Sequence, residues 1–141
     1  MTTAYTQGLA GEDPVYRRTI PTLKHFCANN NEKNRGSSSS NITPRTLHEY
    51  YYRAFEASIV RGGADSMMTA YNELAGVPAC MNPDLQHVVK DQWKLGFVVT
   101  DGADFSQNVL AHRSHATHGE ALAACLKSGC DIMTDGEEMV A

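Results

Sequence analysis

The stretch FVVTDGADF, residues 97–105, decides the fold class of this 141-residue chain. Three apolar residues, Phe97 to Val99, run straight into a threonine, an aspartate and a glycine. An unbroken apolar run of this kind is typical of a parallel strand that is buried on both faces. Parallel sheets place ligands and chemistry at the carboxyl ends of their strands, which is where Asp101 falls. Asp101 is therefore either a functional carboxylate or a cap for the next turn.

Similar short runs recur along the chain, and helix signals separate them. The predicted strands are TLKHFC (22–27), SMMTAY (66–71), FVVTD (97–101) and CDIMTD (130–135). A polar segment, NNNEKNRGSSSSN (29–41), is predicted to be a long loop. The order β-α-β-α-β-α-β predicts an α/β fold with a parallel sheet and helices packed outside it. Four strands are half of an eight-stranded barrel.

Start and stop signals define three helices between these strands. The first begins at Thr43-Pro44 and ends at Gly62-Gly63, and the second begins at Asn82-Pro83 and ends at Gly96. A capping box of Thr117 and Glu120 predicts the third, which runs to Gly129. The predicted inner face of the first helix consists of Leu47, Tyr50, Tyr51, Ala54, Phe55 and Ser58. That of the second consists of Leu85, Val88, Val89 and Trp93.

Composition narrows the class of protein. The chain is 42% hydrophobic and 20% charged with a net charge of −4, which is typical of a globular domain and argues against nucleic-acid or membrane-surface binding. No apolar stretch is long enough to span a membrane. The four cysteines form no CxxC pair, so we expect free thiols in a reducing compartment. Since no signal peptide is recognisable, the predicted location is the cytoplasm.

Polar side chains cluster where the predicted strands end. Lys24 and His25 lie near the end of the first strand, Tyr71 at the end of the second, and Asp101 at the end of the third. In a parallel barrel these ends converge on one mouth, where a cation, an imidazole, a phenol and a carboxylate suit a polyhydroxylated ligand. In a regular strand the adjacent Lys24 and His25 would point to opposite faces, so one of them would be a core residue. Asp101 would act as a nucleophile or base under the functional interpretation.

The segment HRSHATH (112–118) contains three histidines at spacings of three. Such spacing can serve a metal on a helix, but Gly119 and the cap at Thr117 indicate a loop or helix start instead. We therefore interpret His112, His115 and His118 as residues of a solvated loop. The sequence predicts no metal site and no cofactor.

Four motifs follow one another along the chain: GEDP (11–14), KHFCANNNEKNR (24–35), MMTAYNELAGVPACMNPDL (67–85) and DQWKLGFVVTDGADF (91–105). In this order they resemble the N-terminal barrel domain of glycoside hydrolase family 3, which contains β-glucosidases and β-xylosidases. The resemblance covers the chain from about Gly11 to Asp135. It implies a partial (β/α)8 TIM-like barrel of about four parallel strands with intervening helices.

The resemblance implies a role for each strand-end residue. Asp101 matches the nucleophile of a retaining glycosidase, and Lys24 and His25 match the pair that binds sugar hydroxyls. Tyr71 matches a tyrosine close to the nucleophile, and Arg35 matches a position of the same substrate-binding motif. Gly102 stands where the family usually has an aromatic residue.

The resemblance also implies that the chain is a fragment, residues 1–141 of the barrel domain, without its early strands and the C-terminal α/β sandwich. The expected substrate is an oligosaccharide or β-glycoside, and the expected partners are the missing parts of the enzyme or a second copy. A second carboxyl group must act as general acid, for which Glu12 and Glu32 are the nearest candidates in the chain. We therefore expect the isolated fragment to be inactive.

Two other interpretations remain open at this stage. The chain could be a remnant that binds carbohydrate or has a structural role without turnover. It could also be an aldolase-type barrel in which Lys24 forms a Schiff base. The sugar and the linkage are not specified by the residues.

Overall fold

The computed structural model describes residues 1–134, apart from the side chain of residue 105. Short strands alternate with helices along this part of the chain. In chain order the elements are α1 (Thr2–Ala10), β1 (Thr22–Phe26), β2 (Ser39–Ser40), α2 (Pro44–Thr46), a π-helical turn (Leu47–Tyr51), α3 (Arg53–Val60), β3 (Ser66–Thr69), β4 (Glu73–Leu74), β5 (Val77–Pro78), a 3-10 turn (Ala79–Met81), a second π-helical turn (Leu85–Lys90), β6 (Phe97–Val99), α4 (Asp104–Leu110) and α5 (His118–Ser128).

The main sheet is parallel, as the alternation of strands and helices predicts. Its strand order is β1-β3-β6, with Thr22 opposite Ser66 and Ser66 opposite Phe97. The predicted fourth strand is reduced to one parallel bridge between Ile132 and Val99, and Asp135 lies outside the described residues. Because both pairs are parallel, the three strands bring their carboxyl ends to one edge of the sheet.

The first predicted helix forms between Pro44 and Val60, and its inner face is the predicted one in part. Leu47 and Ser58 are buried and Tyr51 and Phe55 pack against the core, whereas Tyr50 and Ala54 are exposed. Thr43 caps it as expected, because its side-chain oxygen accepts a hydrogen bond from the Thr46 N–H. The π-helical turn then adds a residue to one turn, and the Tyr52 N–H bonds the Leu47 carbonyl at 2.8 Å. This extra residue turns Tyr52 into the core and leaves Tyr50 exposed.

The other two predicted helices begin where their caps indicate. The Asn82 side chain accepts a hydrogen bond from the Asp84 N–H at 2.9 Å, ahead of the π-helical turn, and its predicted apolar face is buried. In α5 both halves of the Thr117–Glu120 capping box are formed. Gly129 ends α5 at φ 109°, a left-handed conformation that favours glycine.

Several elements were not predicted. A helix, α1, precedes the sheet, and α4 follows the β6 strand directly. β4 and β5 form an antiparallel hairpin, and β4 also pairs with β2, so the segments expected to be loops contain a second small sheet. Strands of two residues are too short to show an alternation of apolar and polar positions, which explains why the sequence pattern missed them.

The core lies between the main sheet and the helices. Phe26 of β1 contacts the rings of Tyr52, Phe55 and Trp93 at centroid distances of 5.1, 5.1 and 6.4 Å. All four cysteines are buried and free, as predicted from the absence of a pairing motif. Among the described residues no helix is long and apolar enough to cross a membrane.

Candidate active site at the carboxyl edge of the sheet

The three parallel strands bring the predicted site residues to one edge. Lys24 and His25 lie in the second half of β1, Tyr71 follows β3 by two residues, and Asp101 follows β6 by two residues. Because β3 lies between β1 and β6, the carboxyl end of β3 that leads to Tyr71 lies between the ends of the other two strands. Four of the predicted side chains therefore belong to one edge of a rigid sheet.

Asp101 is held from two sides. His25 Nε2 lies 3.1 Å from Asp101 Oδ2, and the Gly102 N–H donates a hydrogen bond to Oδ1 at 2.8 Å. The side chains of His25 and Asp101 are 25% and 21% exposed, so the pair is shielded but accessible. An oriented, partly exposed carboxylate is the arrangement that a nucleophile or a general base requires.

Tyr71 is tied to the same loop. Its hydroxyl donates a 2.6 Å hydrogen bond to the carbonyl of Gly102, the residue that follows Asp101. The Arg35 guanidinium lies over the Tyr71 ring, with its Cζ 4.8 Å from the ring centroid. Arg35 also lies 3.3 Å from Glu32 Oε1. Arg35 therefore packs on the ring of Tyr71, although the two residues are far apart in sequence.

Lys24 and His25 face the same cleft, which corrects the expectation that they point to opposite faces. The pairing of β1 with β3 is irregular between Leu23 and Phe26, so the two-residue alternation of a regular strand does not hold there. The cleft has a volume of about 740 Å³ and includes both residues together with Tyr50 and Tyr51 among its lining side chains. Lys24 is exposed, and its ammonium makes no hydrogen bond or ion pair within residues 1–134.

Asp104 is a buried carboxylate that sequence reasoning missed. It is the first residue of α4, is 2% exposed, and accepts a hydrogen bond from Thr69 Oγ1 at the end of β3. Its N–H also bonds the Asp101 carbonyl at 3.0 Å. Asp104 thus fastens the loop that carries Asp101 to the neighbouring strand. The only signal in the sequence is its position three residues after Asp101, and that spacing is common in helix starts.

The two candidate general acids lie in different places. Glu32 lines the cleft of Lys24 and His25, but its side chain is paired with Arg35 and is 67% exposed. Glu12 lines a separate surface pocket together with Gln7 and Arg18. The second pocket shares no lining residue with the first, which removes Glu12 from the site that holds His25.

The histidines of residues 112–118 do not form a metal site. Within residues 1–134 no three His, Cys, Asp or Glu side chains are arranged to hold a metal ion. The prediction of a solvated loop is wrong for His112, whose side chain is only 2% exposed. Its Nε2 lies 2.8 Å from the Tyr71 carbonyl, so this histidine belongs to the surroundings of the site.

These features define the chain as a β/α protein with a polar site at the carboxyl edge of its parallel strands. The family described as "Glycosyl hydrolase family 3 N terminal domain" matches residues 1–140. The chain therefore belongs to the glycosyl hydrolase family 3 N-terminal domains, as the four motifs predict. A partial barrel is consistent with the folds of its structural neighbours.

The relatives with similar sequences are glycosidases. The chain is 33% identical over 143 residues to Beta-D-xylosidase 3 of Arabidopsis thaliana, a match that covers 94% of this chain and 18% of the relative. It is 35% identical over 119 residues to Beta-glucosidase cel3A of Pyricularia oryzae, covering 83% of this chain and 14% of the relative. The chain thus spans less than a fifth of the length of these curated relatives.

Solved structures give the same result. A GH3 exo-beta-xylosidase (XlnD), in complex with a xylobiose aziridine activity-based probe, matches with a TM-score of 0.89 at 27% identity, covering 94% of this chain and 18% of that one. Beta-glucosidase 3B from Thermotoga neapolitana, in complex with glucose, matches with a TM-score of 0.68 at 30% identity, covering 82% of this chain and 14% of that one.

Proposed function

We propose that this chain is the nucleophile-bearing part of a retaining glycosidase that hydrolyses terminal β-linked sugars. The observation that carries the proposal is the pair of Asp101 and His25, 3.1 Å apart at the carboxyl edge of the sheet. The family match and the names of the glycosidase relatives support this assignment over a Schiff-base aldolase using Lys24.

In the proposed reaction Asp101 attacks the anomeric carbon and forms a glycosyl ester, while the leaving oxygen takes a proton from a second carboxyl group. Water, deprotonated by that same group, then releases the sugar with retained configuration. The hydrogen bond from the Gly102 N–H and the proximity of His25 hold Asp101 in one orientation. A fixed nucleophile lowers the entropic part of the barrier.

The sugar would be bound by the donors that surround Asp101. Lys24 has three N–H donors free of partners within the described residues, and it faces the same cleft as His25. Both would bind hydroxyls of the reacting sugar, where donors strengthen as charge develops in the transition state. Tyr71 lies at the wall of the same site, and Arg35 acts on the sugar indirectly by packing on the Tyr71 ring.

We assign a β-glucoside or a β-xyloside as the substrate, because the relatives are named as glucosidases and xylosidases. A Cβ on Gly102 would meet no described heavy atom within 4 Å, and the φ angle of Gly102 does not require glycine. The absence of a side chain there leaves the wall next to Asp101 open. A larger sugar substituent or aglycone can occupy that volume.

The general acid would come from outside this chain. A retaining glycosidase places its two carboxyl groups about 5–5.5 Å apart. Glu12 lines another pocket, and Glu32 is exposed and paired with Arg35. Since the relatives are more than five times longer, we assign the acid to the parts that they possess in addition, and we expect residues 1–141 alone to be inactive.

The experiment compares two proteins. One is residues 1–141 alone, and the other, called the joined protein below, is the same residues joined to the other barrel strands and the sandwich domain. A panel of nitrophenyl β-glycosides should be hydrolysed only by the joined protein. A mechanism-based fluorosugar should label Asp101, and Asp101→Ala should lose at least about 10³-fold in turnover. Added azide should restore part of the rate and give an inverted glycosyl azide, because a small anion fits the vacated space.

Asp91→Ala is the matched control, since it removes an exposed carboxylate that directly follows the second π-helical turn, Leu85–Lys90. It should keep wild-type turnover. Labelling of Asp131 instead of Asp101, or near-normal activity of Asp101→Ala, would show that Asp101 is only a cap. Sugar binding without turnover by the joined protein would favour the non-catalytic remnant.

A further inference from the structure

His112 is buried in a turn whose other residues are mostly exposed. It follows α4 within the irregular segment 111–117, yet its imidazole is only 2% exposed. The ring reaches back to the end of β3, where its Nε2 lies 2.8 Å from the Tyr71 carbonyl. A carbonyl oxygen can only accept, so Nε2 must carry the hydrogen of this bond. Nε2 is therefore the donor of this bond.

The second ring nitrogen faces a carboxylate. His112 Nδ1 lies 3.3 Å from Glu73 Oε1, an ion-pair distance without the alignment of a hydrogen bond. Glu73 is only two residues beyond Tyr71 and is itself shielded, with 18% of its side chain exposed. The imidazole thus lies between the backbone of Tyr71 and the side chain of Glu73. Its bond to the Tyr71 carbonyl ties the segment after α4 to the segment after β3 that carries Tyr71.

A continuous set of hydrogen bonds leads from His112 to Asp101. His112 holds the Tyr71 carbonyl, the Tyr71 hydroxyl donates to the Gly102 carbonyl at 2.6 Å, and the Gly102 N–H donates to Asp101 Oδ1 at 2.8 Å. The last of these bonds orients the proposed nucleophile. Loss of the first bond would free the backbone of Tyr71 and, through its phenol, the peptide beside Asp101.

From this geometry we infer that His112 is a positioning residue for Asp101, acting through Tyr71 and Gly102; the inference rests on the proposed function for its kinetic consequence. His112 does not touch the sugar. A misplacement of about 1 Å in a nucleophile lowers turnover by on the order of 10²-fold, so the effect belongs in kcat and not in KM.

Four variants separate positioning from a general loss of stability. His112→Phe removes the N–H donor with little change in ring size, and His112→Gln restores an N–H at a similar distance from the backbone. His115→Phe is the control, because His115 lies in the same turn but its Nδ1 contacts Ser114 Oγ. Tyr71→Phe breaks the same set of hydrogen bonds at its next step.

The first readout is the Gly102 amide of the 141-residue chain, observed by NMR. His112→Phe and Tyr71→Phe should both shift its resonance and speed its exchange with solvent, whereas His112→Gln and His115→Phe should leave it near wild type. The wild-type spectrum must also show the proton on Nε2 of His112. An Nδ1–H tautomer, or a Gly102 amide that ignores His112→Phe, overturns the inference even if a variant folds poorly.

The second readout is turnover in the joined protein. We expect about a 10- to 100-fold loss of kcat in His112→Phe with KM changed less than about threefold, and recovery of most of it in His112→Gln. The double variant of His112→Phe and Tyr71→Phe should have a kcat no lower than that of the slower single variant. If the two losses of kcat multiply in the double variant, the inference is overturned. Full activity of Asp101→Ala would instead refute the proposed function and leave the Gly102 amide as the test of positioning.

Discussion

Raising the pH should unfold this chain through its buried thiols. Burial and the nearby Asp84 carboxylate raise the pKa of Cys27 from 9.0 to about 12. A hydrogen bond with Cys125, together with burial, raises the pKa of Cys80, and burial raises that of Cys130. Folded thiols therefore stay protonated at a pH where unfolded thiols have ionised.

The direction and the size of the change in stability with pH follow from the linkage between proton binding and folding. Because the folded pKa values are raised, the full stability is present below pH 9 and is lost as the pH rises through the interval from 9 to about 12. At pH 10 a thiol with an unfolded pKa of 9.0 favours unfolding by about 1.4 kcal/mol, so three such thiols cost about 4 kcal/mol. That loss is comparable with the whole stability of a small domain.

The assay is urea unfolding followed by the fluorescence of Trp93, the only tryptophan and 8% exposed. Urea titrations at pH 8, 9 and 10, all at the same low protein concentration, give the free energy of unfolding at each pH. Cys27→Ala should reduce the fall between pH 8 and 10 by about a third, and Tyr16→Phe, which changes an exposed ring, should not alter it. An equal fall in Cys27→Ala and wild type, or stability that does not depend on pH, would refute the reasoning.

Two further predictions concern the β4–β5 hairpin and the β1 edge of the main sheet. Ala75 and Gly76 form its turn with φ angles of 50° and 83°, so Ala75→Asn should stabilise the chain by roughly 0.5 kcal/mol and Gly76→Ala should destabilise it by about 1 kcal/mol. Thermal unfolding measures both, and a less stable Ala75→Asn variant would contradict the turn assignment. Because β1 has β3 as its one neighbour within residues 1–134, we expect self-association, visible as a sedimentation coefficient that rises with concentration. A monomer at all concentrations would argue against an open edge.

The parallel sheet could be predicted because each strand and each cap has a local signature. Thr43, Asn82 and the Thr117–Glu120 pair begin their helices where the sequence indicates. The inner face of the first helix could be predicted only in part, since the π-helical turn shifts the register by one residue and buries Tyr52 in place of Tyr50. Nothing in the local pattern of apolar residues specifies such a turn.

The residues of the candidate site also divide into those that the local sequence could predict and those that it could not. Asp101, Tyr71 and His25 were predictable because strand ends converge whatever the intervening loops do. His112 was not, because its burial arises from the contact of the segment after α4 with the end of β3, 41 residues earlier in the chain. The shared orientation of Lys24 and His25 was also missed, since it depends on the irregular pairing of β1 with β3.

One edge of the main sheet carries the exposed lysine of the proposed site. β1 forms the edge of the β1-β3-β6 order, and Lys24 on that strand is exposed and has no partner within the described residues. Asp101, by contrast, follows β6, and its loop is already fixed by Gly102 and Asp104 and by His25, which reaches it from β1. A strand added beside β1 would complete the sheet and bring new groups to Lys24 first. We therefore expect the joined parts to change sugar binding through Lys24 more than the placement of the nucleophile.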